Sequence, residues 1–146
     1  MSKSGVELIG MDQIREVLDE LVPKEANKLS RSFVHGLAQE AAKDIKRTAP
    51  KRTGNLRKAV KAKRRRGKPG SPQADVIVTQ GKGAKNDGFY WRFVEFGTGG
   101  DNPQSAQPFV RPAKDRIEAN IKQIAAKVFV DKLKKQIARA QKANRK

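Results

Sequence analysis

The positive charge of this chain is confined to two stretches, and that confinement limits how the chain can fold. Residues 46–68 contain twelve lysines and arginines and residues 132–146 contain seven, with no acidic residue in either stretch. The other 108 residues carry 14 basic residues and all 15 acidic ones. This nearly neutral body can form a core, whereas the two basic stretches are expected at the surface, facing phosphate, an acidic protein or only solvent.

Length and composition indicate one modest domain. The chain has 146 residues, 36% of them hydrophobic, and no cysteine. We predict a single α+β domain over residues 1–131 and a basic helical extension or tail over residues 132–146. The lack of cysteine excludes disulfides, thiolate zinc sites and cysteine nucleophiles. No apolar run approaches the roughly 20 residues of a membrane span, and residues 1–10 lack the apolar core of a signal peptide, so we expect a soluble protein made in the cytoplasm.

Hydrophobic spacing predicts three helices. Asp12 is expected to cap a short helix that ends at Pro23, and a longer helix runs from Lys24 to Ala49. One long C-terminal helix is expected to start at Pro112. The apolar positions at steps of three and four are Ile14, Val17, Leu18 and Leu21 in the first helix, Ala26, Leu29, Phe33, Leu37, Ala41 and Ile45 in the second, and Ile117, Ile121, Ile124, Val128, Leu133 and Ile137 in the third.

The remaining elements are predicted to be strands and loops. Residues 59–63 and 74–80 alternate or are β-branched, which is typical of a hairpin whose long tip carries the arginines. Residues 6–9 suggest a brief strand, and residues 89–96 favour a third strand, although the spacing of Tyr90 and Val94 leaves a helical turn open. The predicted fold is therefore α+β, with a small antiparallel sheet packed against a long central helix and a long C-terminal helix.

No arrangement of side chains points to catalysis. The single histidine, His35, has no nearby serine or acid that would make it a general base, so a packed or surface histidine is favoured. The segment Gly81–Lys85 lacks the ending of a phosphate loop, and histidine and carboxylate groups do not cluster as a metal site requires. We predict no enzyme, no cofactor and no metal.

Three motifs occur in order along the chain. Ala-Pro-Lys-Arg-Thr-Gly-Asn-Leu occupies residues 49–56, Val-Glu-Phe-Gly-Thr occupies residues 94–98, and Pro-Phe-Val-Arg-Pro-Ala occupies residues 108–113. In this order they resemble the head-tail joining, or tail-completion, proteins of long-tailed bacteriophages and prophages. The resemblance covers about residues 6–130 and leaves the basic tail unmatched.

The resemblance implies a non-enzymatic structural protein of the virion neck. Such a protein forms a homo-oligomeric ring of six copies between the head-closure proteins and the tail tube, in contact with tail-terminator or tail-tube proteins, and is assembled in the host cytoplasm. No catalytic residue comes with the resemblance. The motif residues that it marks for assembly are Arg52, Thr53, Gly54, Leu56, Tyr90, Val94, Glu95, Phe96, Gly97, Thr98, Pro108, Phe109, Arg111 and Pro112.

Some motif residues also have a local physical role. Gly54 permits a turn with positive φ after Pro50, which lets Leu56 dock on a core. Pro108 and Pro112 stiffen the approach to the last helix.

The third motif is expected to anchor that helix, because its Phe109 is a large apolar side chain. Glu95 is the acid within an aromatic stretch, so a buried Glu95 requires a cation, for which Arg52 and Arg111 are candidates. Two interpretations stay open: the motif residues only determine the fold, or they also contact neighbouring subunits.

The two basic stretches carry the remaining prediction. In a neck ring they would face acidic neighbouring rings, the DNA path or both. The alternative function is a basic, sequence-nonspecific nucleic-acid-binding or packaging protein, which would contact the phosphate backbone because no aromatic residue lies in either stretch. The residues assigned to this role are Arg64, Arg65, Arg66 and Lys68 in the hairpin tip and Lys132, Lys134 and Lys135 in the tail.

Overall fold

The computed structural model describes residues 11–50, 54–68, 70–81 and 87–144. Over these residues the fold is α+β, as predicted, with six helices and a two-stranded antiparallel sheet. The predicted strand at residues 6–9 lies outside the described residues. In chain order the elements are α1 (Met11–Glu20), α2 (Pro23–Thr48), α3 (Asn55–Ala59), β1 (Val60–Arg65), β2 (Gln73–Val78), α4 (Trp91–Phe96), α5 (Val110–Ala119) and α6 (Ile121–Asn144).

The chain divides into two compact units, each built from separate segments. Helix α2 and the β1–β2 hairpin contribute residues to both units. Among the described residues, the first unit comprises 11–37, 64–68, 70–74 and 120–144, and the second comprises 38–50, 54–63, 75–81 and 87–119.

The core of the first unit is made by three helices. Ile14 of α1, Leu29 of α2 and Phe129 of α6 are almost completely buried against one another. Phe33 meets Phe129 edge to face, with ring centroids 5.6 Å apart and planes at 86°, an arrangement that aromatic pairs favour. The amphipathic stripes predicted for α1 and for the first half of α2 are therefore confirmed.

A glycine lets α6 approach α2 closely within the first unit. Gly36 is buried in the middle of α2, where a glycine ordinarily weakens a helix. A β-carbon at this position would lie 2.5 Å from Cγ1 of Val128 and 2.9 Å from Cε of Lys132. The missing side chain therefore supplies the space that α6 occupies.

The core of the second unit gathers residues from the C-terminal half of α2 and from the first and third motifs. Ala42, Ile45 and Ala49 of α2 pack with the buried residues Leu56, Val60, Phe109 and Ala113. Val76 and Val78 of β2 cover this cluster as partly buried residues. Leu56 and Phe109 thus have the buried positions that the sequence predicted.

The predicted third strand is wrong, because residues 91–96 form helix α4. Tyr90, Trp91 and Val94 pack toward the core of the second unit, while Phe93 and Phe96 are more than half exposed. This burial has the three- and four-residue period of a helix rather than the two-residue period of a strand. Strong β propensity of the aromatic residues was overridden by the packing of one helical face.

The C-terminal region is also two helices rather than the one that was predicted. Helix α5 begins at Val110, two residues before Pro112, and ends at Ala119, and α6 begins at Ile121. The carbonyl of Asn120 accepts a hydrogen bond from the N–H of Ile124 at 3.0 Å, so this asparagine starts the second helix, a position its residue type favours. Within α6, Phe129 is buried, whereas Ile121 and Ile137 of the predicted apolar stripe are 42% and 48% exposed.

Substitution of Gly36 tests the close approach of α6. We expect Gly36→Ala to lower the free energy of unfolding by about 1 kcal/mol, because overpacking against the stiff Val128 side chain outweighs the gain in helix propensity. Urea denaturation of the full chain measures the change. In the double variant with Val128→Ala, the penalty for alanine at position 36 should largely disappear, and an unchanged penalty would contradict the proposed contact.

Candidate functional site

The second motif contains a buried carboxylate that holds the start of a distant helix. Glu95 is 1% exposed. One carboxylate oxygen accepts hydrogen bonds from the backbone N–H groups of Phe109 at 2.7 Å and Val110 at 2.9 Å, and the other accepts from the N–H of Arg111 at 2.9 Å. Glu95 of α4 is thus a cap for α5, although fourteen residues separate it from Phe109.

This cap accounts for every backbone donor that opens α5. The first four N–H groups of an α-helix have no partner within the helix. Here the donors of Phe109, Val110 and Arg111 all reach Glu95, and the next residue, Pro112, has no N–H to satisfy. The negative charge also faces the positive end of the helix dipole. The third motif therefore supplies donors for the carboxylate of the second motif.

Arg111 completes the arrangement from the exposed side. Its Nε donates to the Glu95 carboxylate at 3.1 Å, and its Nη2 donates to the Glu95 carbonyl oxygen at 3.3 Å. The guanidinium also lies over the ring of Phe96, 4.9 Å from the centroid, a cation–π contact. The expectation that Glu95 pairs with Arg111 is confirmed, and the other candidate, Arg52, lies outside the described residues together with Thr53.

The surroundings of Glu95 keep it ionised. Burial raises the pKa of its carboxyl. Hydrogen bonds have the opposite and larger combined effect, so the pKa of Glu95 is lowered overall; they come from the N–H groups of Val110, Phe109 and Arg111 and from the Arg111 side chain. All four donors favour the charged form. Because these donors occupy both oxygens, the carboxylate is committed to structure rather than to proton transfer.

The residues that follow Glu95 fold the chain back. Gly97 has φ of 76°, and a β-carbon there would lie 2.7 Å from the carbonyl oxygen of Gln104. The N–H of Thr98 donates to the carbonyl of Gln104 at 3.0 Å, and the Thr98 hydroxyl accepts from the N–H of Gln104 at 2.9 Å. Only glycine meets both backbone demands at position 97.

Three exposed phenylalanines form what we call the aromatic stripe: Phe89, Phe93 and Phe96. They are 60%, 53% and 60% exposed. Phe93 and Phe96 are three residues apart on one side of α4, and Phe89 lies in the turn just before that helix. The opposite side, with Trp91 and Val94, packs on the core of the second unit. Such a contiguous set of exposed aromatic side chains is typical of a protein interaction surface.

An apolar groove adjoins this stripe in the second unit. Phe93 belongs to both features. The groove brings together residues of the first and second motifs, and its lining spans more than fifty positions of the chain, from Pro50 to Gln107. Its lining residues are Pro50, Leu56, Tyr90, Phe93, Val94, Thr98, Gln104, Ser105 and Gln107.

The end of α2 is held by two arginines whose role the sequence analysis missed. Nε of Arg57 donates to the carbonyl oxygen of Ala49 at 3.1 Å, and its Nη2 donates to that of Arg47 at 3.2 Å. These carbonyls lack partners at a helix end. Nε of Arg116 donates to Asp44 at 2.9 Å and ties α5 to α2. Arg57 follows the first motif directly, and Gly54 before it has the expected positive φ of 73°.

The residues predicted to face phosphate or acidic protein divide into two groups. Arg64, Arg65, Arg66 and Lys68 line a depression in the first unit that also contains Arg31 of α2. Lys132, Lys134 and Lys135 lie on α6 away from it. The side chain of Lys132 is near Gly36, and Nζ of Lys135 pairs with Asp131 at 3.2 Å.

The described residues lack the features of a metal site and of a membrane span. Within these ranges no three histidine, cysteine or carboxylate side chains are grouped as a metal ion requires. Among the helices of the same part of the chain, none combines the length and apolarity needed to cross a membrane. His35 is partly buried, and burial followed by the charges of Arg64 and Lys132 lowers its pKa.

Comparison with known proteins identifies one family. Residues 12–97 match the family model described as "Bacteriophage HK97-gp10, putative tail-component". This match covers more than half of the chain and includes the first motif and the second motif up to Gly97, while the third motif lies beyond it. Neither the curated proteins nor the solved structures gave a match.

Replacing Glu95 tests the capping arrangement. We expect Glu95→Gln to lower the free energy of unfolding by about 3 kcal/mol, since a neutral amide cannot accept from four donors and places N–H groups against N–H groups. Chemical denaturation at pH 7 measures the loss. Glu118→Gln is the control, because it removes an exposed carboxylate from α5, the helix that Glu95 caps. It should change the free energy of unfolding little, since solvent screens the ion pair of Glu118 with Lys114. Equal stability of the two variants would contradict the assigned role.

The lowered pKa of Glu95 predicts a pH dependence. Its stabilising charge is present above the ordinary pKa of 4.5 and is lost as the pH falls through the lower pKa of the folded state. The stability difference between the native chain and Glu95→Gln should therefore be constant near neutral pH and shrink below about pH 4.5. A difference that grows on acidification would contradict this account.

Proposed function

The chain belongs to the HK97-gp10-like family of bacteriophage tail components, and from this premise we propose that it is a tail-completion protein of the virion neck. In this proposal six copies form a ring between the head-closure proteins and the tail tube. The observation that carries the proposal is the aromatic stripe, which the Glu95 cap and the positive φ of Gly97 hold in place at the surface. A ring subunit requires such a fixed interaction surface.

The aromatic stripe and the neighbouring groove suit contact between identical copies. A closed ring uses heterologous contacts, in which one surface of a subunit meets a different surface of the next. The second unit offers both parts, since Phe89 and Phe96 project from it and the groove beside Tyr90 and Thr98 is concave. We propose that the projecting phenylalanines of one copy enter the groove of the next copy.

A structural role also suits the way the charged groups are used. The buried carboxylate of Glu95 is saturated by four donors. Asp44 forms ion pairs with Arg116 at 2.9 Å and with Arg47 at 2.6 Å. These groups fix backbone positions and helix packing, which is what a ring component under mechanical load requires.

The aromatic stripe can be tested by replacing two of its members. We expect Phe89→Ser/Phe93→Ser to keep the stability of the monomer, because both side chains are more than half exposed. We expect it to lower ring formation at least about tenfold, the loss that corresponds to removing central aromatic anchors. Native mass spectrometry with head-closure and tail-tube proteins measures the oligomer, and complementation of a phage lacking the gene measures joined particles.

Val22→Ser is the matched control. Val22 is 63% exposed and lies in the first unit, so it should leave ring mass and joined particles at the native level. The proposal would be wrong if the native chain stayed monomeric with its partners and deletion of its gene still gave joined heads and tails. Normal joining by the double phenylalanine variant would refute the interface alone.

A further inference from the structure

The first unit contains a surface that the neck role does not explain. Two depressions share Asn27, Arg31 and Arg64, and together we call them the cationic trough. One depression lies between α2 and the hairpin tip, and the other lies between α2 and α6. Eight lysines and arginines line the trough, and its Arg139 lies beyond the region that matches the family model.

Helix α2 forms one wall. Lys24, Asn27, Lys28 and Arg31 line the trough, and their spacing of three, one and three residues places them on a single face of the helix. The other face carries Leu29, which is completely buried in the core of the first unit. The packing of Leu29 therefore fixes the direction in which these polar side chains point.

The other walls come from distant parts of the sequence. Strand β1 continues through Arg65, so the consecutive arginines 64–66 start on a regular strand. They precede the turn in which the N–H of Ser71 donates to the carbonyl of Lys68 at 3.0 Å. Helix α6 contributes Arg139 together with the small side chains of Ala140 and Ala143. Folding thus brings the two basic stretches, residues 46–68 and 132–146, together at the trough. It also adds Lys24, Lys28 and Arg31 of α2, which the sequence analysis had counted in the nearly neutral body.

The trough has a large excess of positive charge. Its single lining acid is Glu25, whose carboxylate receives hydrogen bonds from Nζ of Lys28 at 3.1 Å and Nε2 of Gln136 at 3.0 Å. Over the described ranges, no carboxylate lies within ion-pair distance of Arg31, Arg64 or Arg139. These guanidinium groups are available for an anion from outside the chain.

A nearby group reports the same positive field. His35 lies four residues, about one helical turn, after Arg31 on α2. Its pKa is lowered mainly by burial and, to a smaller extent, by the charges of Arg64 and Lys132. A cation is disfavoured where other cations dominate the potential. The charges of Arg64 and Lys132 therefore act on His35 in the same direction as its burial.

The lining distinguishes between anionic partners. Among the described residues, no aromatic and no branched aliphatic side chain lines the trough. Protein interfaces depend on such anchors at their centre, and single-stranded nucleic acids are bound by stacking bases on aromatic rings. The phosphate backbone of a duplex needs neither, since arginine and lysine contacts with phosphate supply most of the affinity.

We propose that the cationic trough binds the phosphate backbone of duplex DNA without sequence preference. Arg31 of α2, Arg64 and Arg66 of the hairpin and Arg139 of α6 each contact a phosphate. Arginine suits this role because its planar fork can hold two phosphate oxygens. The proposal does not depend on the aromatic stripe or on ring formation, so either can fail without the other.

The test measures binding of the full chain to a mixed-sequence duplex of about 30 base pairs between about 50 and 200 mM salt. The slope of log K against log salt counts the phosphate contacts, at about 0.9 per contact. Arg31→Gln/Arg139→Gln and Arg64→Gln/Arg66→Gln alter different walls, and each should lower the size of the slope by about 1.8. The first variant changes α2 and α6, and the second changes only the hairpin. A local folding defect in one variant would therefore leave the other variant as an independent test.

Arg15→Gln/Lys127→Gln is the matched control. Both residues are exposed in the first unit, lie outside the trough and remove the same charge, so the slope should stay at the native value. A single-stranded oligonucleotide of the same length should bind more weakly and with a smaller slope.

Three results would overturn the proposal. The first is no duplex binding at the lowest salt. The second is an equal loss of slope in the control and the trough variants, which would indicate diffuse charge attraction. The third is binding to poly-glutamate, used as an acidic polypeptide probe, that is as tight as binding to the duplex and equally sensitive to the trough variants.

Discussion

The arrangement of the second unit depends on one buried negative charge. An isolated carboxylate in a protein interior is costly, and it is tolerated only where donors replace the water it has lost. Glu95 obtains three of those donors from the start of α5 and a fourth from Arg111. The helix start has the converse problem, since its N–H groups lack acceptors. Each element therefore satisfies the other, and neither is stable in this position alone.

This mutual dependence gives the surface its shape. Because Glu95 is fixed on α4, the phenylalanines on the outer side of that helix point in a defined direction, and Arg111 holds the ring of Phe96 from above. Gly97 then reverses the chain at once, so α4 remains short. Exposed aromatic side chains on a mobile segment would lose conformational entropy on binding, whereas side chains on a fixed helix lose less.

The first unit presents a different surface, the cationic trough, which has no aromatic side chain among its described lining residues. The two units thus offer surfaces suited to different chemistry.

The sequence predicted the elements whose signal is local. The periodicity of α2 and the alternation of the hairpin located these elements to within one or two residues. The pairing of Glu95 with Arg111 also followed from physical chemistry, because a buried acid needs a cation. Its three backbone donors could not be predicted, since a hydrogen bond across fourteen residues leaves no pattern in the chain.

The errors have related causes. A strand was favoured over helix α4 because aromatic residues favour strands. The spacing of Tyr90 and Val94 left a helical turn open, and packing on one face decided for the helix. The break at Asn120 was missed because isoleucines at 117, 121 and 124 continue the helical spacing across it. Arg139 was not singled out within the basic stretch 132–146, because its place beside Arg31 arises only when α6 folds against α2 in the first unit. Contacts between distant segments decided each of these cases.

Imaging of intact particles by electron cryomicroscopy tests the central claim most directly. The account predicts six copies of this chain as a closed ring where the capsid meets the tail, with the side chains of Phe89, Phe93 and Phe96 covered by the adjoining copy. Particles in which the junction contains no density for the chain, or in which the three phenylalanines face solvent within the ring, would contradict it.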